Sequence, residues 1–247
     1  MFLAQNDFYA LVVERAQVHD NLRVVSDLIA SEIRGVSSGG VTAAESRRFV
    51  VRLPLAVGGV CHAQASHGRV YMPGLADIAT DEVAGYARQD ANGDWTYTSD
   101  TWSNLRVSSG SSDAGECATR SGADTVGAQT DFGRLLISGG TTLGEAIMIW
   151  QEVEFKIERS ELDPTTLAVF RGVTGDTLRE FATGIAPATK FEYTKDGSTF
   201  SNSITGAALD SIEAIRVTAA AIASDSIGAI DAYEYQWTVK IPLRNSN

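Results

Sequence analysis

Apolar residues recur at steps of three and four through the opening of the chain. Phe8, Leu11, Val12, Val18, Leu22, Val25, Ile29 and Ile33 fall on one stripe of a helical projection, interrupted by Arg15. Asp7, Glu14, Asp20, Arg23, Asp27, Glu32 and Arg34 lie mostly off it. No Pro or Gly occurs before Gly35, so the pattern predicts a helix over residues 3–34, closed by Gly35 with Arg34 in the last turn. At 1.5 Å per residue such a helix is roughly 50 Å long, against an average of about 11–12 residues in globular domains. Its first residues, Met1-Phe2-Leu3-Ala4, are apolar and have no Ser, Thr or Asp cap ahead of them. Leu22, Val25, Ile29 and Ile33 are expected to pack on a sheet.

After Gly35 the period changes. "GVSSGGVTAAES" reads as a Gly/Ser loop. "RFVVRLPLAV" alternates and is β-branched, so a strand is expected, with Pro54 pushing it toward an edge. "GRVYMPG" is a second short strand, and "AGYARQDANGDWTYTSD" a hairpin turning at Asn92-Gly93. Residues 103–131 are Ser, Gly and Ala with little periodicity, which predicts a long surface loop. In "EAIMIWQEVEFKIERSEL", Ile149, Val153, Phe155 and Ile157 alternate with charges after Gln151, marking a long strand. "DPTT" turns it and "LAVFRGV" returns; "LREFATGIAP", "TKFEYTKDG", "IEAIRVTAAAIA" and "EYQWTVKIPLRN" supply four more strands. One helix followed by consecutive hairpins predicts an α+β fold, helix against antiparallel sheet, with long variable loops. The helix (1–35) and a β-rich headpiece (36–247) are expected to form one domain.

Composition narrows the function classes. With 20 basic and 31 acidic residues the net charge is −11, and such a surface repels phosphate backbones, so nucleic acid is not an expected partner. No stretch approaches the ~18 consecutive apolar residues of a membrane-spanning helix, and no signal-peptide pattern opens the chain.

The chemical motifs are sparse. Two cysteines, Cys61 and Cys117, suit one disulfide or two free thiols, and no C-x-x-C spacing suggests zinc or thioredoxin chemistry. Gly35 to Gly39 spells G-x-S-x-G, but it follows a helix and enters a loop, the reverse of a nucleophile elbow. Cys61, His62 and His67 lack a fourth ligand, and His19 falls on the polar flank of the helix. Asp90, Asn92 and Asp94 resemble half a calcium loop, yet Trp95 stands where the loop needs glycine and the distal Glu is out of place. They are weak metal candidates beside a plain hairpin tip. Trp95, Tyr97 and Trp102 are either packing aromatics or a patch for sugar or a partner. No phosphate-binding loop, dinucleotide fingerprint or catalytic triad spacing occurs, and nothing motivates an enzyme.

The order of these weak motifs resembles a family. Gln5, Phe8 or Tyr9, Asn21-Leu22-Arg23, Leu28 and Glu32-Ile33-Arg34 resemble the helix that follows the membrane segment in PilW-type minor type IV pilins and J-type pseudopilins of type II secretion. "FKIERSEL", "LAVFRG" with Arg171, "TGIAPATKFEY", "IEAIRVTAAA" and "VKIPLRN" are similar to the later strands of that family. The likeness covers residues 5–35 and 145–245, about half of the chain; 50–140 matches only loosely. The basic leader, cleavage site and apolar span of that family are not in this sequence. The resemblance therefore implies a soluble piece with the span removed, or a miscalled start, of a protein whose full-length form is anchored in a membrane. It implies a pilin-like fold and a non-enzymatic subunit that primes or caps a pilus or secretion pseudopilus. Its partners would be other minor and major pilins or pseudopilins, at the periplasmic face of the inner membrane and in the extracellular filament, with no cofactor. An extracellular carbohydrate- or adhesin-type binding module is the alternative.

Overall fold

The computed structural model describes residues 2–63, 68–72, 78, 83–99, 105–107, 132–135, 141–223 and 233–244. Among them are one long helix, α1 (Phe2–Ile33), and thirteen strands. The strands are β1 (Val41–Glu45), β2 (Arg48–Ala63), β3 (Gly68–Tyr71), β4 (Gly85–Gln89), β5 (Trp95–Ser99), β6 (Leu105–Val107), β7 (Phe132–Leu135), β8 (Ala146–Arg159), β9 (Leu167–Val173), β10 (Arg179–Ile185), β11 (Lys190–Thr194), β12 (Ala214–Ala223) and β13 (Tyr233–Pro242).

The expected α+β class, a long helix packed on an antiparallel sheet, is corrected by this content. The chain is mostly β, in two antiparallel sheets. Among the described side chains of the helical stripe, Leu22, Val25, Ile29 and Ile33 are buried and Val12 is exposed. Most of the buried apolar side chains lie instead on strands. Three of those strands were not expected. Val41 and Ala44, in the Gly/Ser segment read as loop, are buried on β1, and β6 and β7 pair with each other. Pro54 does not place β2 at an edge either, because β2 has neighbours on both sides. Neither β1 (at 48–51) nor β3 (at 59–63) pairs residues 52–58, so the missing N–H of Pro54 falls where those ladders are interrupted.

The chain divides into two compact units, with β2 and β8 contributing residues to both. The first comprises residues 1–51 and 153–247. Along β8, Val153, Phe155 and Ile157 are buried while Glu154 and Lys156 are half-buried, the period-two pattern of a sheet with one apolar face. Phe155 stacks on Phe49 with ring centroids 4.7 Å apart, and Phe191 meets Phe49 edge-on at 4.6 Å. Such aromatic pairs add about 0.5–1.5 kcal/mol each to simple burial. Outward of them, Arg48 donates two hydrogen bonds to Glu154, at 2.8 and 3.4 Å. β8, β9 and β10 form a meander, and β11, β12 and β13 form a separate three-stranded sheet. Glu192 of β11 and Lys240 of β13 flank Arg216 of β12 in register.

The second unit comprises residues 52–152. Ala56, Val60, Val70, Met72, Tyr86, Ile147 and Ile149 make one apolar cluster. Ala87, Met148 and Trp150 make another, covered by Trp95 and Tyr97. Residues 147–150 are therefore buried on both faces of β8. Gly85 is required by the second cluster: a Cβ there would stand 2.6 Å from the Trp150 ring and 2.3 Å from the Thr98 carbonyl oxygen.

Candidate functional site

Helix α1 carries two different apolar surfaces. On its inner side Leu22, Val25, Ile29 and Ile33 are buried, the last two completely. Leu22 packs with Ala219 and Ala221 of β12, with Val18, Tyr235 and Trp237 around it. The small alanines let the helix approach the sheet, and the His19 ring meets Trp237 edge-on at 5.3 Å. Two residues of the motifs quoted above, far apart in sequence, meet here: Arg171 Nε of β9 donates a 2.7 Å hydrogen bond to Glu32 Oε2. The helix ends at Ile33, and Val36 donates its N–H to the Ile33 carbonyl.

The second surface faces outward. Tyr9, Val13, Val24 and Leu28 are 63, 54, 63 and 42 % exposed. Tyr9/Val13 and Val24/Leu28 are i,i+4 pairs; at about 100° per residue Tyr9, Val13 and Val24 lie roughly opposite the buried stripe, and Leu28 lies on its flank. Arg23 and Asp27, an i,i+4 ion pair at 3.6 Å, flank this ridge. A row of exposed branched and aromatic side chains on a long helix can take up a second helix, ridge into groove, at an axis separation of about 8–10 Å. The inner stripe was legible from its spacing; the outer ridge was missed because Asp20, between its two pairs, breaks the run. Its i,i+4 spacing was the available signal.

The remaining candidates fall elsewhere. Cys61 is disulfide-bonded; Cys117, the chain's other cysteine, lies outside the described residues, as do His67 and Trp102. Asp90 spends its carboxylate on the hairpin tip, where Oδ1 accepts the Asn92 N–H at 2.8 Å and the Asp94 N–H at 3.0 Å. The backbone N–H groups of Asp94 and Asn92 hold that carboxyl below the usual aspartate range. Gly93 completes the turn at φ 92°. Asp90, Asn92 and Asp94 are all exposed, and among the described residues no three His, Cys, Asp or Glu side chains converge as metal ligands. Tyr97 meets the Trp150 ring edge-on at 6.1 Å, and the Arg52 guanidinium lies 4.8 Å from the Tyr97 ring and 4.9 Å from that of Trp150. Trp95 and Tyr97 thus belong to packing and a cation–π stack. Ser37, in the G-x-S-x-G stretch, is buried and bridges to Arg244.

Among the described residues no helix is long and apolar enough to cross a membrane. Compared with known proteins, the chain matches no family model, no curated protein and no solved structure.

Proposed function

We propose that this chain is a non-enzymatic structural subunit of a filament, a minor pilin or J-type pseudopilin that joins its neighbours through α1. The outward ridge of Tyr9, Val13, Val24 and Leu28 is the observation that carries the reading. A helix needs one apolar face to hold its own domain; a second, opposite face is useful to a helix that lies between its own sheet and another chain. Burying four such side chains, at about 25 cal/mol per Å², contributes about 4–6 kcal/mol before the entropy of association is subtracted. One such contact is too weak to hold two free molecules together. It suits a head-to-tail lattice in which each subunit makes several contacts. Other minor and major pilins or pseudopilins are the partners in this reading, at the periplasmic face of the inner membrane and in the extracellular filament.

The test is complementation. A host strain lacking the gene should lose surface filaments or type II secretion, scored by electron microscopy and by export of a secreted enzyme. The natural gene should restore them, and a Tyr9→Glu, Val13→Glu double variant that melts like the parent should not. Normal filaments and export in the deletion strain, or full rescue by the double variant, would refute the assignment.

A further inference from the structure

In the first unit, a hollow of about 440 Å³ lies beside the three-stranded sheet. Arg47 and Lys190 bring positive charge to it and Asn202 and Gln236 side-chain amides, with the buried Thr189 and Thr218 in its wall. A second hollow of about 410 Å³ shares Pro187 with the first and is lined by Arg159, Thr165 and Thr166. No Asp or Glu lines either hollow, although acidic residues outnumber basic ones 31 to 20 in the chain. Among the described residues neither Arg47 nor Arg159 meets a carboxylate; the Arg47 guanidinium touches only the Pro187 carbonyl oxygen, at 3.4 Å. Lys190 Nζ gives one hydrogen bond to Glu192, at 3.1 Å, and keeps two donors. The buried Thr189 hydroxyl donates to the Ala220 carbonyl oxygen at 3.1 Å and accepts the Ala220 N–H at 2.9 Å, which pins that wall of the hollow to β12.

We infer that these adjoining hollows form a binding groove for an acidic saccharide, a short glycan carrying carboxylates or sulfates. The inference is independent of the filament reading. Arginine forks match the two oxygens of a carboxylate or sulfate. The side-chain amides of Asn202 and Gln236, which both donate and accept, match sugar hydroxyls. Two cationic hollows side by side match a ligand with repeated charge, where a single compact anion would fill only one. The hollows are lined by cations with no carboxylate, so they attract an anion, and binding should weaken as salt screens that attraction.

The experiment is calorimetric titration of the full chain with trigalacturonate, with maltotriose and inorganic phosphate as comparison probes. Trigalacturonate should bind with a Kd below about 1 mM at low salt, and weaken severalfold when the salt is raised to about 0.2 M. Arg47→Ser and Arg159→Ser, both at exposed positions, should each cost about tenfold in affinity without a change in melting temperature. Lys195→Ser, at an exposed position outside both hollows, should cost nothing. Absence of trigalacturonate binding at about 10 mM, or equal binding by maltotriose, overturns the inference. So does phosphate binding as tightly as the trisaccharide, or undiminished binding by both arginine variants.

Discussion

Ile29 and Leu28 are adjacent on α1 but about 100° apart around its axis, one inside and one largely in solvent, so the same truncation at each measures what the inner stripe contributes. Ile29 is fully buried, whereas Leu28 is 42 % exposed. Ile29→Ala removes three carbons, about 2.4 kcal/mol of transfer free energy at ~0.8 kcal/mol each. It also leaves a void, because the side chain is fully buried; with that void included, buried Ile→Ala changes cost about 2–5 kcal/mol. Alanine is the better helix former, which returns less than about 0.7 kcal/mol. The expected net loss is about 3 kcal/mol. With a urea m-value of about 2 kcal/mol per molar, the midpoint falls by roughly 1.5 M. Leu28→Ala opens no closed void and already has much of its side chain in water, so its cost should stay below about 1 kcal/mol. Urea titration followed by far-ultraviolet circular dichroism reads both. Ile29→Asp is the harsher form of the test, because it would bury an unpaired carboxylate and α1 should leave the sheet. If Ile29→Ala lies within about 0.5 kcal/mol of the parent, or Leu28→Ala costs as much as Ile29→Ala, the inner stripe does not hold α1.

Two further substitutions examine polar groups in the same unit. Ser26 is completely buried, and its hydroxyl has no hydrogen-bond partner among the described residues, so Ser26→Ala should raise stability by about 1 kcal/mol; a destabilised variant in the same urea assay would contradict this. Burial alone would raise the Glu192 carboxyl, but hydrogen bonds and charge from Arg216, at 2.9 Å, and Lys190 outweigh it and leave its pKa below the ordinary glutamate range. A carboxyl depressed in the folded state stabilises above its unfolded pKa of about 4.3, and that contribution is lost as pH falls through the folded value. Glu192→Gln should therefore be less stable than the parent at pH 7, with the difference shrinking in acid; a gap that stays constant from pH 7 to pH 3 would assign the loss to packing instead.

What could be read along the chain was what local periodicity encodes. The helix was legible because Leu22, Val25, Ile29 and Ile33 repeat at steps of three and four. β8 was legible because Val153, Phe155 and Ile157 alternate with the charged Glu152, Glu154, Lys156 and Glu158. The hairpin of β4 and β5 was legible because Asn92-Gly93 suits a tight reversal and little else. β1 was not, because "VTAAE" has too little bulk to show a period; its order comes from the ladder with residues 48–51 of β2 and from the isolated bridge of Ala44 to Ile204, both supplied from elsewhere in the chain. β6 and β7 depend in the same way on one another and on β3. The α+β expectation failed for this reason: unread strands were counted as loop, and the chain is mostly β.

The same distinction governs the two surfaces proposed to act. The outer ridge of α1 is local, four residues within twenty positions of one helix, so a pattern search that tolerates Asp20 would find it. The groove is not local: Arg47 arrives from the β1–β2 turn, Lys190 from β11, Asn202 from the loop after it, Thr218 from β12 and Gln236 from β13. No spacing rule joins those positions, and none of them stands out by residue type. Their common property, cations and neutral hydrogen-bonding groups with no carboxylate among them, exists only once the sheet registers bring them together. In a chain this acidic, a site for an acidic ligand requires that every nearby carboxylate be turned elsewhere. Glu192 shows one way this is done. Its carboxylate is held by Arg216 in the neighbouring strand and by Lys190 itself, which leaves the remaining donors of Lys190 for a ligand.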